Sequence, residues 1–166
     1  MKILSSYAIK LNGDLTALEN SINIYRKALH VVIPIVEKHW DDMMDFENMK
    51  QRMSYIERLI HTTKKNEACY YFDVEFPKFP SYLRRAVINR AIGIVSSYRS
   101  NLENWEENKI ELEAKGEKPS QIPRLSTRHF DYPAYYKNNL FRNFNALSRL
   151  NLRSLKMAIG FMKPIH

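Results

Sequence analysis

The sequence predicts an α+β fold that is mainly helical, a helical bundle accompanied by a small antiparallel sheet. Three observations predict it. Apolar residues recur at intervals of three and four over three separate stretches, which is the period of a helix with one buried face. Two shorter stretches alternate apolar with polar side chains, which is the period of a half-buried strand. A third kind of stretch, 119–144, is dense in aromatic residues and has no helical period at all. At 166 residues, with 45% hydrophobic and 27% charged side chains, the chain can bury one real core and has the composition of a folded protein.

In chain order, Ile3, Ser5, Tyr7, Ile9 and Leu11 alternate with their neighbours and end at the turn Asn12-Gly13-Asp14, so a strand is expected there. Thr16 followed by Glu19 has the spacing of a capping box and starts the first helix, whose stripe is Leu18, Ile22, Tyr25, Leu29, Val32, Val36 and Trp40. Between Ala28 and Val36 this helix is apolar nearly all round. It is therefore expected to cross the centre of the domain, bent where Pro34 removes a backbone donor. A second helix is expected over about Glu47 to Thr62, with Met49, Met53, Ile56 and Ile60 inward. Tyr70, Phe72, Val74 and Phe76 alternate with Tyr71, Asp73 and Glu75 as a strand containing the lone Cys69 and broken by Pro77 and Pro80. Ser81 then caps a long helix reaching about Ala114, with Leu83, Val87, Ala91, Ile94, Tyr98, Leu102 and Trp105 as its core stripe. Its exit is Lys115-Gly-Glu-Lys-Pro119, after which short strands and loops are expected to Phe144.

The formal charge of +8 and the pI near 9.5 point to a polyanionic partner, with nucleic acid ahead of a membrane surface. Its distribution says more than its total. Residues 1–75 are nearly neutral, 76–102 carry five cations and no carboxylate, 103–117 are acidic, and 118–166 carry nine cations against one acid, Asp131. No apolar run is long enough to span a bilayer, and the N-terminus lacks a signal segment, so a cytoplasmic protein is expected. One cysteine excludes an internal disulfide and a cysteine-rich zinc site. His30 and His39 stand nine residues apart on one helix, about 13 Å along its axis, and cannot share an ion. Asp41, Asp42 and Asp45 are expected to form a solvated acidic turn. No phosphate loop and no nucleophile motif occurs. The sequence thus predicts no catalytic residues, no metal and no cofactor.

Two features carry the binding signal. Beside the core stripe of the long helix runs a row of small or hydrogen-bonding residues, Ala86, Arg90, Gly93, Ser97, Asn101 and Asn104. Glycine inside a helix costs roughly 1 kcal/mol relative to alanine, which asks for a reason such as the close approach of another backbone. Helix packing would supply that reason as well as nucleic acid would. The absence of carboxylates from 76 to 102 favours nucleic acid, because a surface facing phosphates requires it and a packing surface does not. The second feature is the block 124–144, where Phe130, Tyr132, Tyr135, Tyr136, Phe141 and Phe144 interleave with Arg124, Arg128, Lys137 and Arg142. Bases stack on aromatic rings while cations follow the phosphates, as in single-strand and RNA recognition. The same tyrosines would also serve as the core of a small sheet.

The segment Phe79-Pro-Ser-Tyr-Leu-Arg-Arg-Ala-Val-Ile-Asn-Arg-Ala-Ile-Gly-Ile-Val-Ser-Ser-Tyr-Arg-Ser-Asn-Leu-Glu-Asn-Trp105 resembles the N-terminal half of TnpB-type proteins of bacterial insertion sequences. These are transposase-associated proteins of mobile elements, linked to DNA transposition and related to miniature type V CRISPR effectors. The Gly116-x-Lys-Pro119 exit and Asp131-Tyr-Pro-Ala-Tyr-Tyr-Lys-Asn-Asn-Leu-Phe141 are similar to the segments that follow in that family, so the resemblance covers about 1–144. It implies a strand-rich wedge-like part formed by 1–14, 65–80 and 119–145, and a helical recognition-like part formed by 15–64 and 81–118. It also implies that the partners are guide-type RNA and target DNA, with no membrane. On this expectation Arg84, Arg85, Arg90 and Arg99 bind phosphates, and Gly93 allows close approach. Ser97, Asn101 and Asn104 hydrogen-bond to backbone or base edges, and Arg124, Arg128, Tyr135, Tyr136, Lys137 and Arg142 belong to the RNA-facing block. The family's RuvC-like nuclease and zinc ribbon have no counterpart here, so a nucleic-acid-binding module without enzymatic activity is expected. The basic tail 146–166 departs from the family pattern, as the product of a truncated or frameshifted gene would. The alternative expectation is a non-catalytic remnant or helical protein-interaction module with a basic docking surface.

Overall fold

The computed structural model describes residues 15–134, 141–144 and 149–152. It is mainly helical. The helices are α1 (Thr16–Lys38), α2 (Trp40–Met44), α3 (Met49–Ile60), α4 (Phe72–Glu75) and α5 (Ser81–Ala114), followed by the strands β1 (Phe141–Phe144) and β2 (Arg149–Leu152). The long helix α5 packs chiefly along α1 and, through its first turns, against α3.

Helix α1 begins at the expected residue, but Leu15 holds the N-cap position and its side chain caps nothing, so the capping box is not what starts the helix. The helix continues through Pro34 to Lys38, with Ala28, Leu29, Val32, Ile33 and Val36 fully buried between its neighbours. Helix α3 is shorter at both ends than its sequence pattern suggests: Asn48 caps its start by accepting the Gln51 N–H at 3.0 Å, and the backbone turns extended at His61. Of its predicted stripe, Ile56 and Ile60 are buried and Met53 packs against the core, whereas Met49 is exposed. In α5 the buried face consists of Leu83, Arg84, Val87, Ile88, Ala91, Ile92 and Val95, and nothing beyond Val95 is fully buried. Pro80 occupies the N-cap position expected for Ser81. The exit is a Schellman turn: Gly116 lies at φ +76°, and the Glu117 and Gly116 N–H groups donate to the Leu112 and Glu113 carbonyls.

The strand expected over 69–76 is not formed. Phe72 to Glu75 is a single helical turn, and Cys69 is an exposed residue beside it rather than a strand residue. Phe72 and Phe76 alternate with their neighbours, but they are also four residues apart, and one helical turn brings both into the core. Val74, the residue that distinguishes the two periods, is exposed. Phe72, Phe76 and Phe79 form a mutually packed trio with centroids 4.8 to 5.8 Å apart, closing the end of the bundle against the first turn of α5. Segment 65–80 therefore adds nothing to a sheet. The only paired strands among the described residues are β1 and β2, antiparallel with Phe141 opposite Leu152 and Phe144 opposite Arg149. The strand expected over 3–11 lies outside the described residues.

Candidate nucleic-acid interface

The row singled out on α5 faces away from the bundle. Gly93, Ser97, Asn101 and Asn104 are exposed and stand on the side of the helix opposite Ala91, Ile92 and Val95. A Cβ added to Gly93 would meet nothing within 4 Å, so no helix of the described bundle packs against this row. Asn89, Ser96 and Ser100 widen it, giving an outward surface without a carboxylate on α5 itself until Glu103.

The arginines beside that surface are already engaged, and their partners come from other elements. Arg84 is a correction to the sequence reading. Its side chain is 7% exposed, its Nε and Nη2 both lie 3.1 Å from Glu57 Oε1, and Nη1 donates to the Phe79 carbonyl, so no phosphate can reach it. Arg85 takes the other Glu57 oxygen at 3.2 Å from the solvent side. Arg90 holds Asp131 through two parallel bonds of 2.9 and 3.1 Å, and this raises the basicity of its guanidinium against the opposing effect of burial. Arg99 pairs with Glu37 at 2.9 Å, reaches Asp41 at 3.8 Å, and lies over the Trp40 ring. The absence of acid along α5 is thus partly made good by carboxylates on α1, α3 and the segment after α5. Arg85, Arg90 and Arg99 keep partly exposed guanidinium groups, so they can be shared with an anion, whereas Arg84 is structural.

Residues 119–134 form an extended strap that runs back along α5 and crosses α1. The Trp105 indole N–H donates to the Ser120 carbonyl at 2.9 Å, and His30 Nδ1 meets the Thr127 carbonyl at 3.2 Å. Arg26 donates to the Phe130 and Asp131 carbonyls at 2.9 and 3.1 Å. Leu125 packs on the core and Pro133 is buried. From Trp105 to Arg90 the strap follows α5 for about 22 Å. At its far end the Arg26 guanidinium lies 4.8 Å from the Tyr132 ring centre and 5.6 Å from that of Phe130, and both rings remain largely open to solvent. Burial pushes the Tyr25 phenol up beneath this junction, with the Asp131 carboxylate adding to the shift and Arg90 opposing it.

Of the aromatic–basic block, Arg124 and Arg128 are exposed along the strap, and Phe130 and Tyr132 present ring faces beside a cation. Tyr135, Tyr136 and Lys137 lie outside the described residues, and Arg142 is placed only by its backbone pairing with Asn151 in the hairpin. The residues missed in the sequence are Arg26, Glu37, Glu57 and Asp131, which position the strap and the arginines. Their separations of 27 to 105 residues from their partners leave no local pattern to read.

Among the described residues no group of three or more His, Cys, Asp or Glu side chains is arranged to hold a metal ion, and no helix is long and apolar enough to cross a membrane. No curated protein and no solved structure matches the chain. One family model does, over residues 5–154, which takes in the helices, the strap, the hairpin and the first part of the basic tail. The chain belongs to the Aq_aa04 family.

Proposed function

We propose that the chain is a nucleic-acid-binding protein that lays the outward face of α5 against RNA. The observation that supports this reading is the exposed face of α5 from Arg85 to Asn101, to which the helix contributes no acid of its own, with open space above Gly93. A helix face directed at water ordinarily carries charges of both signs; here it carries glycine, serine, asparagine and cations only. Arg85, Arg90 and Arg99 border the face, Ser97, Asn101 and Asn104 supply hydrogen bonds, and Arg124 and Arg128 continue the positive charge along the strap. Phe130 and Tyr132 offer rings on which unpaired bases stack. On the TnpB-type resemblance the RNA is guide-type, the DNA is its target, a small wedge-like sheet that includes the hairpin completes the RNA-facing part, and the protein acts in the cytoplasm without catalytic residues of its own. Protein contacts to a heteroduplex would then read shape, with sequence read by base pairing.

Gel-shift titration of structured RNA and duplex DNA at one salt concentration, with the native protein and with Gly93→Leu, tests the reading. RNA is expected to bind more tightly than duplex DNA. Gly93→Leu is expected to melt at or slightly above the native temperature, because an exposed helical glycine gains about 1 kcal/mol on replacement and nothing is there to clash. It is nevertheless expected to abolish RNA binding. Equal or DNA-favoured affinity, or full binding by Gly93→Leu, overturns the proposal.

A further inference from the structure

Beside α3 lies an open groove of about 1050 Å³ that shares Arg85 with the proposed interface. Its wall is made by Lys50, Ser54 and Arg58, which repeat every four residues and so share one face of that helix. Its end is the tight turn 63–66, closed by reciprocal backbone bonds between Thr63 and Asn66, with the Asn66 side chain donating to the Arg58 and His61 carbonyls. That turn projects Lys64 and Lys65 into solvent. Arg85 enters from α5. The one carboxylate lining the groove, Glu57, already has both oxygens committed, one to Arg84 and one to Arg85. Lys50, Arg58 and Lys65 form no ion pair among the described residues. Four cations therefore line a concavity whose only acid is neutralised from within.

We infer that this groove is a second binding site, taking the phosphodiester backbone of a single-stranded nucleic acid. The inference rests on the nucleic-acid reading above and adds to it a strand class and a path. A ring at the lining, Phe46, can serve an unpaired base, which a single strand offers and a duplex does not. The groove's cations come from the start and the end of α3, from the 63–66 turn and from α5, and the uncharged polar side chains of Asn48 and Gln51 line it with them. Phe46, which lines the groove with its ring tilted against that of Tyr55 at 5.4 Å, is the group on which a base would stack. His61 lines the same recess with its Nδ1 held 2.8 Å from Asp73 Oδ2, which leaves Nε2 as a further polar group for the strand. Arg85 belongs to both sites and lies one turn before Asn89 on the outward face of α5. A strand leaving the groove at Arg85 is delivered onto that face.

The test uses the full chain and a labelled uridine 12-mer, with fluorescence anisotropy measured over a series of salt concentrations. The variant Lys50→Gln with Arg58→Gln removes two exposed groove cations; Lys115→Gln with Lys118→Gln removes the same charge at the exit of α5. With about 0.7 counterions released per phosphate of a single strand, the groove variant is expected to flatten the log–log salt slope by about 1.4 and to weaken binding roughly twenty-fold at 0.1 M salt. The exit variant is expected to leave the slope unchanged. Lys65→Gln alone is expected to give half the slope change, and thermal melts of all three are expected to match the native protein. Equal losses in the groove and exit variants, or an unchanged slope in the groove variant, overturn the groove and leave the α5 interface standing. Failure of the native chain to bind structured RNA and the 12-mer alike overturns both.

Discussion

Arg84 and Arg85 are neighbours in sequence, share one carboxylate, and are predicted to behave in opposite ways when that carboxylate is removed. Glu57→Ala leaves the Arg84 guanidinium, 7% exposed, with only the Phe79 carbonyl at 3.5 Å. Removing one partner of a buried ion pair strands the other charge, at a cost of about 3 to 5 kcal/mol. Arg85, with its side chain 65% exposed, loses a contact worth well under about 1 kcal/mol. For a domain of this size each kcal/mol lowers the melting temperature by about 2 to 4 °C, so Glu57→Ala is expected to melt roughly 6 to 20 °C below the native protein. Arg85→Ala should be within about 0.5 kcal/mol of native. Arg84→Met keeps most of the buried stem and removes the charge, and the Glu57 carboxylate keeps Arg85 and some contact with water. Its loss is expected to stay below about 2 kcal/mol. Urea denaturation of the four proteins, followed by circular dichroism, measures each difference directly. A Glu57→Ala cost under about 1 kcal/mol, or an Arg85→Ala cost as large as that of Glu57→Ala, would refute the assignment of Arg84 as a buried structural cation.

Two further outcomes follow from the junction of α5 with the strap. Asp131→Asn removes the charge that Arg90 neutralises, so RNA affinity is expected to rise and the log–log salt slope to steepen by about 0.7; an unchanged slope would mean that Arg90 does not reach the RNA. The raised Tyr25 pKa sets the sign of an alkaline effect: as pH climbs past about 10 the unfolded phenol ionises first, the native state binds more protons, and stability falls. Tyr25→Phe is expected to flatten that decline in melts between pH 9 and 11, and a parallel decline in both proteins counts against the burial of the phenol.

The three long helices were legible because each repeats its apolar period over several turns, and a signal summed over that length outweighs local exceptions. The end of α5 was legible to the residue, since Gly116 supplies the left-handed conformation that a Schellman turn needs. Segment 69–76 was not, because Phe72 and Phe76 satisfy both the strand and the helix period and only Val74 separates them. The candidate interface was legible as a row and illegible as a charge balance. Gly93, Ser97 and Asn101 share a face by helical arithmetic alone. That Glu37, Glu57 and Asp131 would meet Arg99, Arg84 and Arg90 depends on how α1, α3 and the strap pack, and chain separations of 27, 41 and 62 residues hide such pairings. Lys50 and Arg58 escaped for a related reason: residues 1–75 are nearly neutral in sum, and only folding separates the cations of α3 from the acids around them.

The residues of helix α5 are themselves electrically lopsided along its length. Its first two-thirds carry Arg84, Arg85, Arg90 and Arg99 with no acid, and its last third carries Glu103, Glu106, Glu107, Glu111 and Glu113 against Lys109 alone. The backbone dipole adds to this polarity, since the carbonyl end of a helix is its negative end. Across 34 residues, about 50 Å, an approaching polyanion meets a longer cationic stretch, partly offset by Glu37, Glu57 and Asp131, and a shorter repulsive one on a single rod. Diffusional encounters are therefore biased in angle before any specific contact forms, with the chain turned so that the acidic end points away from the ligand. Productive collisions should become more frequent, and backwards docking rarer, in proportion to how little salt screens that separation of charge.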